Sequence, residues 1–346
     1  MNLHMFSFPT VVSKSLANEI PQGENMSQVI KGIKRRSIAA IAAIALAAIS
    51  TFSLGAAPAA ADANPNAVVT ADWLEANLNN PKVRVIEVTA EDGVYARGHI
   101  RNAVEFRWHT DLVDTVNRDV ASRAAFTRLA QRSGINRDTI VVLYGDNSNW
   151  FAAWGAWIFK LYGAKDVRLL DGGRAKWEAD GRALTPIVPT FARGNFAATA
   201  ANPKLRAFLP EVLKVAKKQS KTKLVDIRSA DEFSGKIFAA PGFDELAIRA
   251  GHIPTAVNVG WRQTLRADGT FKSRAELAAV YRAVGIDGKT PIITYCRIGE
   301  RASHSWFVLS EILGYNVKVY DGSWTEYGNS VGVPIANPAG TVWGRK

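Results

Sequence analysis

Two stretches decide how this chain folds: Ala96-Arg97-Gly98-His99-Ile100-Arg101-Asn102-Ala103-Val104 and Arg249-Ala250-Gly251-His252-Ile253-Pro254-Thr255-Ala256-Val257. They share a Gly-His-Ile centre and an Ala-Val close, so one reads as a second copy of the other. Upstream, Val85-Ile86-Glu87-Val88 answers Leu224-Val225-Asp226-Ile227. Downstream, Ile140-Val141-Val142-Leu143-Tyr144 answers Pro291-Ile292-Ile293-Thr294-Tyr295, and Val167 to Gly173 answers Val317 to Ser323. Four matches in the same order mean a duplicated domain. Glu87 and His99 are 12 residues apart while Asp226 and His252 are 26 apart, so the second copy carries 14 extra residues around Ser234 to Ile248.

Each copy alternates short β-branched runs with longer helical stretches, Asn149 to Tyr162 after Val141-Val142 and Ser303 to Leu313 after Ile292-Ile293. That order predicts α/β architecture, two tandem domains that are each a parallel sheet flanked by helices. Pro186 to Pro203 holds three prolines and a glycine with no sustained period, and reads as a linker. The expected boundaries are a first domain at 66–186, a linker at 187–204 and a second domain at 205–337. A chain of 346 residues with 47% hydrophobic content suits two globular units and excludes a wholly disordered protein.

Ahead of the repeat, Lys34-Arg35-Arg36 is followed by an uncharged Ala-, Ile- and Leu-rich run from Ser37 to Ala61. Residues 1–63 therefore read as a targeting segment cleaved near Ala61 or Ala63, and the protein as exported, periplasmic or secreted. The run breaks at Ser50 to Ser53, Gly55 and Pro58, which disfavours a retained transmembrane helix. Contact with a membrane is expected only through this signal. The Arg pair leaves both the twin-arginine and the Sec routes open, and Met26 is an alternative start that gives a signal of ordinary length.

The net charge of +12 comes from 43 Lys and Arg interleaved with 31 Asp and Glu. Interleaving argues for a weak affinity for anions and against nucleic acid as a partner. A single cysteine, Cys296, excludes an intramolecular disulfide and a Cys-rich metal cluster. It follows a buried-strand pattern and precedes a helix expected to open near Ala302, which puts it where open α/β sheets place ligands. The loop Cys296-Arg297-Ile298-Gly299-Glu300-Arg301 is short, and the backbone N–H groups of Ile298, Gly299 and Glu300 are expected to form an anion cradle with the helix N-terminus. A thiol on its floor is expected to be largely thiolate at neutral pH. Arg297 and Arg301 are candidates to hold an anionic substrate, although Arg301 could instead pin the loop by pairing with an acidic residue. The bland alternative for Cys296 is a small buried hydrophobe. In the first copy the same place reads Tyr144-Gly145-Asp146, with a carboxylate and no thiol, and that copy is expected to be inert, a support or cleft wall.

These residues resemble the active-site segment of tandem-domain rhodaneses of the bacterial thiosulfate sulfurtransferase kind. The similarity extends through Ser303-His304-Ser305-Trp306-Phe307-Val308-Leu309, the Gly-His-Ile segments, Asp226-x-Arg228 and Asp321-Gly322-Ser323-Trp324, from about Val68 to about Ile335. The resemblance implies an inactive first domain, an active second one, and a Cys296 persulfide that moves sulfur from thiosulfate to cyanide or a thiol, without cofactor or metal. The partners implied are a small anionic sulfur donor and a thiophilic acceptor, and the protein is expected to be monomeric.

Four residues after Arg228, where animal members tend to place a substrate-binding arginine, this chain has Glu232. Arg249 is therefore expected to contact substrate, and Trp324 to wall the pocket. His99 and His252 occur in both copies and His304 lies in the helix, so structural roles are expected for all three. Asp226 and Arg228 suit a structural ion pair. Three rivals remain. A 3-mercaptopyruvate sulfurtransferase shares the nucleophile but usually carries a smaller, less charged loop. A non-catalytic persulfide carrier or anion-binding module would not turn over. A phosphatase or arsenate reductase needs one more residue between Cys and Arg than the four here.

Overall fold

The computed structural model describes residues 63–242 and 247–344. The targeting segment expected over residues 1–63, with its cleavage near Ala61, lies outside the described residues save for Ala63, as do Phe243 to Leu246 of the extra 14. No helix among the described residues is long and apolar enough to cross a membrane.

The first copy builds a five-stranded parallel sheet from β1 (Val68–Val69), β2 (Val83–Thr89), β3 (Ala103–Arg107), β6 (Ile140–Gly145) and β7 (Asp166–Leu170), in the order β1-β7-β6-β2-β3. The second builds a four-stranded parallel sheet from β8 (Lys223–Asp226), β9 (Val257–Asn258), β10 (Ile292–Tyr295) and β11 (Val317–Val319), in the order β11-β10-β8-β9. Between β3 and β6 the first copy adds a small antiparallel hairpin, β4 (Val113–Asp114) and β5 (Asp119–Val120).

Register makes the duplication physical. Glu87 pairs with Tyr144 in the first sheet as Asp226 pairs with Tyr295 in the second. The Tyr144 hydroxyl accepts the Ile100 N–H at 2.9 Å, and the Tyr295 hydroxyl accepts the Ile253 N–H at 3.1 Å. His99 stacks on Tyr95 and His252 on Phe233, both with ring centroids 3.7 Å apart.

Every residue of β2 is buried, as in strands covered by helices on both faces. Two helices lie at the centre of the molecule, Trp150–Leu161 after β6 and Glu300–Phe307 after β10, and they pack on each other. The first, WFAAWGAWIFKL, is apolar nearly all round, which suits a helix flanked by its own sheet and by the other copy. The second is wholly buried although it carries Glu300, Arg301, Ser303, His304 and Ser305. Polar groups in such a place need partners, and those partners define the site. The segment 187–204 forms neither helix nor strand. It is tied to the first copy by backbone bonds such as Phe196 N–H to the Ile135 carbonyl and Thr199 N–H to the Tyr162 carbonyl.

Candidate active site

Cys296 follows the last residue of β10, at the carboxyl end of a central parallel strand. Gly299, with φ of +108°, caps the helix Glu300–Phe307, which therefore starts two residues earlier than Ala302. A backbone so placed is open to glycine and costly for any other residue. The bend turns the Gly299 N–H onto the Cys296 sulfur at 3.0 Å. Glu300, 1% exposed, brings its Oε2 to 3.7 Å from the same sulfur.

The thiol is completely buried. Burial first, and then the Glu300 carboxylate, push its pKa above the ordinary thiol value; Arg301 and the N–H groups of Gly299 and Ala302 pull the other way without reversing it. The structure thus corrects the expectation of a thiolate at neutral pH. In this closed arrangement the proton stays on sulfur, because the loop supplies a carboxylate as well as a cradle.

Arg301 is the cation of the site, and it is held. Its Nη2 lies 3.3 Å from Glu232 Oε1, its Nη1 3.4 Å from Glu232 Oε2, its Nε 3.8 Å from Glu300 Oε1, and its guanidinium sits 5.7 Å from the Trp150 ring centroid. Burial raises the Glu232 pKa, but Arg301 and Arg228 outweigh it and hold the carboxyl below the usual range. Of the two roles weighed for Arg301, the geometry provides the pinning one. Glu232 also closes a capping box with Ser229, so the residue that departs from the animal pattern anchors both a helix and the loop cation. Arg297 is 6% exposed and its carbonyl accepts from Thr325 N–H, while the Ile298 carbonyl accepts from Arg118 at 2.7 Å.

Two expectations need correction. Arg249 was expected to reach the substrate, yet its guanidinium donates to the carbonyls of Gly328, Val333, Tyr327 and Ser330 at 2.6–2.9 Å. Four carbonyls occupy four of its five N–H donors, on both edges of the guanidinium, and the side chain is a clamp for the C-terminal end of the helix Ser323–Asn329. Trp324 was expected to line the pocket, yet it is 1% exposed, stacks on Tyr327, donates to the Arg249 carbonyl and lies 4.8 Å from the Arg228 guanidinium. Its ring belongs to the core; only its backbone N–H touches the site, bonded to the Cys296 carbonyl. Arg228 is paired with Asp226 at 2.6 Å, fully buried, and also holds the Gly251 carbonyl. His304 sits among Trp261 and Phe271 with no hydrogen-bond partner on either nitrogen among the described residues, and burial drops its pKa to about 3, so it stays neutral in any working range.

Comparing the two copies shows what the thiol site requires. In the first copy the Asn149 side chain reaches into the loop, accepting the Gly145 N–H at 3.0 Å and donating to the Leu170 carbonyl at 2.8 Å. In the second, the same bridge is made by Ser323, whose Oγ accepts the Cys296 N–H at 3.1 Å and donates to the Tyr320 carbonyl at 2.7 Å. Ser323 holds a left-handed φ of +53° where its counterpart Gly173 has +58°. A Cβ on Gly173 would stand 2.4 Å from the Asn149 Oδ1. Moving the bridge from the loop to the next strand's turn frees the loop of Asn149's bulk. The first copy's loop also carries Asp146, whose pKa rises to about 6 through burial and the nearby Glu91 and Glu87.

The first copy was expected to be a support or cleft wall, and the structure gives the residues through which it reaches the thiol loop, none of which the sequence singled out. Trp154 packs so closely that a Cβ on Gly299 would lie 2.8 Å from its ring, and Trp150 stands between Arg301 and Trp261. Arg118 of the β4–β5 hairpin spans 180 residues to reach Ile298. The only signal for these in the sequence is that Asn149 to Tyr162 and Ser303 to Leu313 follow equivalent strands.

Comparison with known proteins accords with this geometry. The description "Rhodanese-like domain" matches residues 70–180 and again 209–330. A Saccharopolyspora erythraea protein named "Putative thiosulfate sulfurtransferase" is 50% identical over 273 residues, 78% of this chain and 96% of its own length. The "Sulfur carrier protein TtuD" of Thermus thermophilus is 48% identical over 278 residues, 79% of this chain and 98% of its own. Among solved structures, SseA from Escherichia coli, titled as a 3-mercaptopyruvate sulfotransferase of the rhodanese fold, superposes with a TM-score of 0.64 at 28% identity, covering 75% of this chain and 99% of that one. With two parallel sheets in matching register and a strand-end thiol loop in the second, this chain belongs to the rhodanese-like domain family, in two tandem copies.

Proposed function

We propose that the protein is a thiosulfate sulfurtransferase whose second domain works through a Cys296 persulfide and whose first domain carries no chemistry. The observation that carries the reading is the lone thiol on the floor of a four-residue turn, with the Gly299 N–H aimed at its sulfur and the Arg301 charge acting on it. Relatives at about half identity named for thiosulfate support the donor.

In the first half-reaction the thiol loses its proton, with Glu300 Oε2 at 3.7 Å as the acceptor, and the sulfur attacks the outer sulfur of thiosulfate. The S–S bond of the donor breaks, and its electron pair leaves with sulfite. The persulfide anion then lies where the Gly299 N–H and Arg301 stabilise negative charge. In the second half-reaction cyanide or a thiol attacks the outer sulfur, and the Cys296 thiolate departs. A buried sulfur requires the closed arrangement to open for each step. Arg297 and the amide N–H groups of the loop are the proposed contacts for the sulfonate.

Processing of 3-mercaptopyruvate is the second reading, favoured by the likeness to SseA. The relative named as a sulfur carrier favours a protein that loads sulfur and hands it on without turnover to small acceptors. Export is also part of the proposal, supported by the Lys34-Arg35-Arg36 and Ala-rich pattern.

The test assays the mature protein with thiosulfate and with 3-mercaptopyruvate, each with cyanide, beside Cys296→Ser, and measures the mass of Cys296 after each donor alone. Thiocyanate formation from thiosulfate, abolished in the Ser variant, is expected. A higher kcat/KM with mercaptopyruvate reverses the donor, and stoichiometric persulfide without thiocyanate makes the protein a carrier.

A further inference from the structure

The first copy's hairpin reaches the second copy's loop at one point, and the geometry there concerns the thiol directly. Arg118 Nη2 donates to the Ile298 carbonyl at 2.7 Å and to the Asp321 carbonyl at 3.1 Å. The Ile298 carbonyl and the Gly299 N–H belong to one peptide unit. Because that unit is planar and trans, its C=O and N–H point in opposite directions. Whatever fixes the carbonyl outward fixes the N–H inward, and inward lies Cys296 Sγ at 3.0 Å.

Arg118 is itself held for this contact. It sits in a left-handed backbone, φ +53°, in the turn between β4 and β5. That turn is braced by Asp114, whose carboxylate accepts the N–H groups of Val116 and Asn117. The next residue, Asp119, pairs at 2.6 Å with Arg206, which in turn grips Asp321 with two bonds at 2.8 and 2.9 Å. A non-glycine residue keeps such a backbone where the surroundings over-determine it. The neighbouring glycine makes restraint necessary: with no Cβ at Gly299, the 298–299 peptide is free to turn over unless its carbonyl is captured.

We propose that Arg118 of the first copy is a positioning residue for the thiol of the second: by capturing the Ile298 carbonyl it aims and strengthens the Gly299 N–H donated to Cys296 Sγ. A guanidinium on the carbonyl polarises the same peptide, so the hydrogen bond at its other end gains strength as well as direction. The hairpin thus links the copy without a thiol to the reacting sulfur through a single peptide. The inference rests on the sulfurtransferase reading for its consequence in catalysis, but not for its effect on the thiol.

Cys296 is the only cysteine of the chain, so its ionisation can be followed by thiolate ultraviolet absorbance, with Cys296→Ser as the blank. Wild type, Arg118→Ala and Arg118→Lys are titrated and melted in parallel. Losing the guanidinium is expected to raise the thiol midpoint by about half to one pH unit in Arg118→Ala, with Arg118→Lys in between because an ammonium still reaches a carbonyl. In the thiosulfate assay kcat is expected to fall about tenfold with KM little changed, and the pH profile to move up with the thiol. A folded Arg118→Ala protein with an unmoved titration, or a loss confined to KM, overturns the inference. Should Arg118→Ala not fold, Arg118→Lys decides: a wild-type titration in that variant overturns it. If wild type forms no persulfide from thiosulfate while the titration still moves, the sulfurtransferase reading fails and the positioning role stands.

Discussion

Gly299→Ala tests the loop geometry most sharply, because two separable costs fall on one methyl group. The first is conformational: φ of +108° lies where side chains with a Cβ are strained, at about 1–3 kcal/mol. The second is steric. The new Cβ would stand 2.8 Å from Trp154 Cζ3, 2.9 Å from Asp321 Cα and 3.0 Å from Asp321 Cβ. Trp154 is 1% exposed among Trp108, Trp157 and the second copy's helix, and Asp321 is gripped by Arg206, so neither can withdraw cheaply. Overpacking of this kind costs about another 1–3 kcal/mol. A middle figure of about 4 kcal/mol lowers Tm by about 8–16 °C. Gly285→Ala is the control: φ there is +77°, but nothing lies within 4 Å of the added methyl, so only the conformational part applies. Calorimetric melting of both variants separates the terms. Any relief by turning the 298–299 peptide removes the N–H from the sulfur, so turnover should fall at least tenfold whether or not the fold yields. A Gly299→Ala protein that melts no lower than Gly285→Ala and keeps wild-type turnover refutes the loop geometry.

Two further outcomes follow from the site. Arg249→Ala should act on stability rather than affinity: four carbonyls lose their donor, for a loss of about 3–5 kcal/mol, while KM for thiosulfate in the folded fraction stays within about twofold. A normal Tm with a raised KM would restore Arg249 to the binding site. Persulfide formation should also depend on pH in a definite direction: a raised thiol pKa favours the protonated form, so the thiolate fraction and the single-turnover rate should climb about tenfold per pH unit from neutral pH upward. His304, displaced to about 3, adds no inflection near neutrality, and a rate flat from slightly acid to neutral pH would show the thiol already ionised.

How much of this was legible beforehand depends on the range of the interactions involved. Strand periods, the ordered matches between copies and a cysteine after an apolar run are written in neighbouring residues, and they sufficed for the α/β class, for the pairing of β6 with β10 as equivalents and for the strand-end position of Cys296. WFAAWGAWIFKL is apolar nearly all round, so its burial follows from its composition, whereas ERASHSWF carries Glu, Arg, His and two Ser, and its burial comes from packing against the other copy's helix. Arginines were the least legible, since a guanidinium on a long stem reaches several places from one position and the winner is set by carbonyls and carboxylates far along the chain. Arg301 meets Glu232 across 69 residues, Arg249 meets the carbonyls of residues 327–333 across 78–84, and Arg118 meets Ile298 across 180.

The same division holds for the chemistry. A lone thiol, a short glycine-containing loop and flanking arginines are properties of six consecutive residues, so the sequence by itself determined where the candidate nucleophile lies and that the matching place in the first copy has no thiol. Only the tertiary structure decided the thiol's protonation, because its sign comes from complete burial and a carboxylate at 3.7 Å outweighing one cation and two N–H donors, a balance of distances that no spacing encodes. It also decided that Asn149 fills the loop in one copy while Ser323 makes the same bridge from outside it in the other, since that exchange exists only where two strand ends and a turn meet in space.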